Sequence, residues 1–188
     1  MGNQDDYGEI YGLSNGEHMM GTVTYSNLFS ESRANVLSLI NNTSNVSDPI
    51  SNSSQARVWI HSRMPDVKAS NFAGYPFIVI YPSDVDIQSG GSVDGRSKRV
   101  EWEIDIEIVT SDRGYNENDS QGLSHMDAIS DDVMTTLLNK TNRNTLSGQN
   151  MSFSTPSTTK VVSEPFHSEI VYRRTILAPF KSKIQVSA

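Results

Sequence analysis

The stretch Lys98-Arg99-Val100-Glu101-Trp102-Glu103-Ile104-Asp105-Ile106-Glu107-Ile108-Val109-Thr110 constrains the fold more than any other part of the chain. Val100, Trp102, Ile104, Ile106 and Ile108 alternate with Glu101, Glu103, Asp105 and Glu107. A period of two puts the apolar side chains on one face of a strand and the carboxylates on the other. The dry face demands a covering layer. The acidic face demands water or a cationic partner, because like charges in a row repel.

Composition narrows what such a chain can be. With 188 residues, 36% hydrophobic and 20% charged, it suits one domain with appendages and a lean core. A formal charge of −7 argues against non-specific nucleic-acid binding and against an anionic membrane surface. The absence of cysteine removes disulfides, thiolate metal sites and cysteine nucleophiles. No apolar run approaches the ~20 residues that span a bilayer, and the opening Met1-Gly2-Asn3-Gln4-Asp5-Asp6 has neither the basic nor the apolar part of a signal peptide.

Residues 1–25 read as an extended arm, with Tyr7, Ile10, Tyr11, Leu13, Met19 and Met20 scattered among glycines and acids; they dock on a neighbour or form a disordered tail. An amphipathic helix is expected over 26–42, its stripe made by Phe29, Val36, Leu37 and Ile40, widened by Leu28 and Leu39. A polar loop follows to 55. A short strand is expected at 57–61, then a loop over 66–75 with Ala73-Gly74 as its flexible point. The run Tyr75 to Pro82 is near-continuously apolar, as in a central strand buried on both faces. Residues 83–98 suggest a projecting hairpin loop. A second helix is expected from Asp119 or Ser120 to Lys140, with a stripe of Leu123, Met126, Ile129, Val133 and Leu137 and with Asp127, Asp131 and Asp132 outside; early acids and the late Lys140 suit its dipole. Strands are expected near 149–155, 159–166 and 168–178. The fold class is α+β: a single, mainly antiparallel sheet with two helices packed on one face, plus the extended N-terminal arm. The domain spans 26–180, and 181–188 form a C-terminal extension.

Little here resembles a catalytic constellation. His18, His61, His125 and His167 fall in no metal-ligand spacing. Glycines 90, 91 and 95 lack the phosphate-loop pattern and precede a strand. Carboxylates two apart on a strand lie roughly 6.5–7 Å apart, within the range of an inverting glycosidase, yet any alternating acidic strand has that spacing. No metal or other cofactor is expected. Arg173 and Arg174 are adjacent on a strand and so point to opposite faces. One can pair with an acid of 101–107, within the subunit or across to a neighbour.

The succession of a helix at 26–42, the strand Tyr75-Pro76-Phe77-Ile78-Val79-Ile80-Tyr81, the alternating strand from Lys98 to Thr110, the helix at 120–140 and a closing strand at 168–178 resembles the tail-terminator or tail-completion (head–tail joining) proteins of long-tailed bacterial and archaeal viruses. The resemblance covers roughly residues 26–180. It implies a non-enzymatic virion protein that forms a hexameric ring in the tail or neck, assembled in the host cytoplasm. Its partners would be sibling copies, the tail-tube protein and a head-completion or neck protein. DNA would pass through the ring without specific binding, and no membrane would be involved. Glu101, Glu103, Asp105, Glu107, Arg173, Arg174, Arg96, Tyr7 and Tyr11 then become interface candidates. The other readings are a different ring-forming neck or tail-tube protein, a carboxylate-based hydrolase and a secreted binding domain.

Overall fold

A computed structural model describes residues 25–50, 57–89, 97–112, 121–147, 151–167 and 169–185. The expected arm, and with it Tyr7 and Tyr11, lies outside the described residues, as does Arg96. The elements run α1 (Tyr25–Asn42), β1 (Ile60–His61), β2 (Phe77–Ser89), β3 (Ser97–Ser111), α2 (Gly122–Leu138), α3 (Lys140–Leu146), β4 (Ser152–Phe153), β5 (Ser157–Thr158), β6 (Val162–Phe166) and β7 (Glu169–Gln185). They form an α+β fold with one sheet ordered β1-β2-β3-β7-β4, in which β5 and β6 also pair with β7. Only the β1–β2 pair is parallel.

The period-two pattern decides the layering. Val100, Ile104, Ile106 and Ile108 are fully buried and Trp102 is 2% exposed, all on the helix-covered face. Burial of each such side chain is worth roughly 1.5–3 kcal/mol, which is why this strand dictates where the helices sit. They share one core with Leu28, Val36 and Ile40 of α1 and with Met126, Ile129, Val133 and Leu137 of α2.

The helices differ from expectation in instructive ways. The buried row of α1 is Leu28, Ser32, Val36 and Ile40: it keeps Leu28, Val36 and Ile40 of the expected stripe, adds Ser32, and leaves Phe29, Leu37 and Leu39 partly buried beside it. It accommodates Ser32 because the Trp102 indole Nε1 donates to Ser32 Oγ at 2.9 Å, and Ser32 in turn donates to the Phe29 carbonyl at 3.1 Å. Leu123 is 46% exposed and lies off the buried stripe of α2. This helix has Gln121 at its N-cap without a side-chain cap, and neither acids in its first turn nor a base in its last. The expected dipole pairing is therefore absent. Lys140 instead opens a separate helix, α3, where Asn139 Oδ1 accepts from the Thr141 and Asn142 amides.

The sheet is longer than the sequence suggests. Instead of giving way to a loop at 83, β2 and β3 stay paired out to Ser89 and Lys98, with a bulge between Pro82 and Val85. The closing strand runs on through the expected C-terminal extension to Gln185, because Pro179 to Gln185 find partners in Glu103 to Ser97 of β3. The other edge of β7 carries β6, β5 and β4 in turn, one outer strand broken into pieces. Past Val79, β2 has no ladder partner on its β1 side among the described residues.

Candidate functional site

The open face of the sheet carries the alternating acids, and the register shows what surrounds them. Residues directly opposite in an antiparallel ladder share a face. On the β7 side Glu101, Glu103, Asp105 and Glu107 stand opposite Lys181, Pro179, Leu177 and Thr175. On the β2 side Glu101, Asp105 and Glu107 stand opposite Asp86, Tyr81 and Val79. The carboxylates therefore form a single row between mainly neutral or basic neighbours, not a broadly acidic surface.

The row changes character along its length. Glu107 is buried, at 8% exposure, and lies within an apolar patch of Phe77, Val79, Val109 and Val171. Its buried oxygens are both satisfied there: Arg173 donates to Oε1 at 2.8 Å and the Tyr81 hydroxyl donates to Oε2 at 3.2 Å. Arg173 also lies 3.9 Å from Glu164 on β6. Burial, then the charges of Glu107 and Asp105, push the Tyr81 phenol up to about 12. Arg174 points to the opposite face and meets Asp127 of α2 at 3.1 Å. The two adjacent arginines thus serve the two faces, with the Glu107 partner inside the same subunit. At the far end Glu101 pairs with Arg99 at 2.6 Å, and Arg99 stands opposite Lys183. That end is mixed in charge, with Lys181 and Lys183 both exposed.

A buried clamp at the other end of β2 gave no signal in the sequence. The Arg57 guanidinium holds Asp48 through Nε at 2.6 Å and through a second nitrogen at 2.9 Å. It also donates to the carbonyls of Ala73, Gly74 and Pro76 at 3.0, 2.7 and 2.6 Å. The Ala73-Gly74 segment, expected as a flexible point, is pinned by these bonds, and glycine at 74 is required because φ there is +87°. Tyr75 stacks on Phe77 and Phe72 meets both rings edge-on around the same turn, with ring centroids 5.4–5.7 Å apart. His61 ends β1 against the Phe77 ring, and burial followed by the Arg57 charge lowers its pKa.

As chemistry, this arrangement binds itself. Glu107 is committed to Arg173 and Tyr81, and Glu101 to Arg99. No group of three or more His, Cys, Asp or Glu side chains able to hold a metal occurs among the described residues. No helix among them is long and apolar enough to cross a membrane.

No protein-family model matches the chain, and no characterised protein matches it in sequence. A solved structure described as the virion of a native gene transfer agent particle is similar at a TM-score of 0.47 and 12% identity, over 81% of this chain and 93% of that one.

Proposed function

We propose that this chain is a structural protein of a virion, and within it the tail terminator: a ring, hexameric by the resemblance, that caps the tail tube and joins it to the head connector. The observation that carries the reading is the element order. Helix, apolar central strand, acid-alternating strand, helix and closing strand occur in sequence within one two-layer domain, as the resemblance requires. Self-engaged carboxylates on the open face favour a surface role over general acid–base work, which needs a group poised to exchange a proton.

In such a ring the open face and the β2–β3 hairpin are candidate lumen or contact surfaces, and Glu101, Glu103 and Asp105 are the half-buried acids there. A negative lining would keep passing DNA from adhering. The test is mass photometry with negative-stain microscopy of the purified protein, alone and added to tail tubes. Rings at six times the 20.8 kDa chain mass are expected, free or on tube ends. A protein that stays monomeric alone and leaves tube ends bare would overturn the reading.

A further inference from the structure

Of the exposed large hydrophobic side chains among the described residues, Val85, Leu123 and Leu138 lie on β2 and α2, and the other four lie on the two lateral margins of the sheet. Val58 is 70% and Met64 46% exposed beside β1, whereas Val162 is 52% and Ile170 45% exposed at the β6–β7 hairpin. These margins are opposite ends of the strand order. They also differ in charge. Beside β1 lies a recess of about 660 Å³ whose lining includes Val58, Met64, Phe72 and Arg63. Arg63 and Lys68 are exposed there, while the nearby Asp66 carboxylate accepts from the Lys68 amide at 3.0 Å. The hairpin from Val162 to Ile170 carries Glu164 and Glu169 without a lysine or arginine of its own, and Arg173 of β7 lies 3.9 Å from Glu164. Glu164 has 60% of its side chain exposed.

We infer that the recess beside β1 receives the β6–β7 hairpin of a second copy of this chain, with Val162 against Val58 and Met64 and with Glu164, on the same face of the hairpin as Val162, facing Arg63. Two different patches at opposite ends make a head-to-tail contact, the kind that closes into a ring when the rotation permits. Apolar contact supplies the adhesion, and the opposite charges set register and exclude the reversed pairing. The inference rests on the ring reading above and names the surfaces that join its subunits.

Charge reversal gives a test that separates the two. Arg63→Glu makes both margins acidic, and Glu164→Arg makes both basic. Each variant alone is expected to associate at least ~10-fold more weakly than wild type, with an unchanged melting temperature by circular dichroism. An equimolar mixture is expected to recover rings, because every junction in an alternating ring is then complementary. Val58→Glu, at a side chain too exposed to matter for folding, is expected to block assembly on its own. Wild-type rings together with variants that assemble equally well, or a mixture of folded variants that fails to recover, would overturn this contact and leave the ring reading standing. Wild-type protein that never associates would overturn both.

Discussion

Arg173 reaches across from β7 to place a guanidinium nitrogen 2.8 Å from Glu107 Oε1, and Glu107 has almost no other access to a positive charge. Arg173→Ala leaves a buried carboxylate held by the Tyr81 hydroxyl alone. A fully enclosed pair broken in this way costs about 3–5 kcal/mol. Because the Arg173 side chain is 36% exposed, solvent screens part of that, and about 1–3 kcal/mol is expected. Urea unfolding checks it. Glu107→Gln, which removes the charge and keeps an acceptor for Tyr81, is expected to cost less.

Tyr81 gives a pH dependence with a definite sign. Its folded-state pKa, about 12, stands above the ordinary value of 10.0. Between these values the unfolded chain has released the proton and the folded one retains it, so the stabilisation is complete below pH 10 and is lost as pH rises through about 12. Alkaline unfolding with phenolate absorbance should show late tyrosine titration, with Tyr75 and Tyr172 also raised and Tyr81 contributing at about 12. Tyr81→Phe should remove both that titration and its share of the slope.

Gly122 begins α2 where the helix touches the sheet. A Cβ there would lie 2.8 Å from the Ser111 backbone carbon and 2.9 Å from the Tyr172 ring. The Tyr172 hydroxyl is itself tied to Asp112 at 2.6 Å, so the ring has little freedom to retreat. Alanine is the better helix former by about 1 kcal/mol, but overpacking costs about 1–3 kcal/mol. Gly122→Ala should therefore destabilise, as thermal melting will show; a gain in stability would contradict the close approach.

Arg57 uses its Nε and both terminal nitrogens at once, on Asp48 and three carbonyls. A lysine ammonium has three donors and no planar fork. Arg57→Lys should cost about 2–4 kcal/mol by leaving buried acceptors unfilled. It should also increase proteolytic cutting near Gly74, read by mass spectrometry of a limited digest.

What the sequence made legible was whatever repeats along it. Val100 to Ile108 alternate, and Met126, Ile129, Val133 and Leu137 step by three or four; both patterns named their buried faces. What escaped depends on partners distant in sequence. Ser32 belongs to the buried row of α1 only because Trp102, seventy residues on, donates to it. The Lys140-Thr-Asn-Arg-Asn-Thr-Leu segment has no apolar period, so α3 is held by its Asn139 cap and by the burial of Leu146. The acidic strand looked uniformly charged because nothing local reveals that Lys181, Pro179, Leu177 and Thr175 stand opposite its acids. Arg57 looked like the start of a strand, and its five bonds join residues 9 to 19 positions away.

The bulged stretch of β2 beyond Ile80 has a consequence for how this protein can be stockpiled. Pro82 offers no amide to an incoming strand, and the register shift before Val85 twists the backbone away from a flat template. Copies crowded together are thereby discouraged from zipping into fibrils through this edge, so the protein can be held at high concentration without aggregating along it.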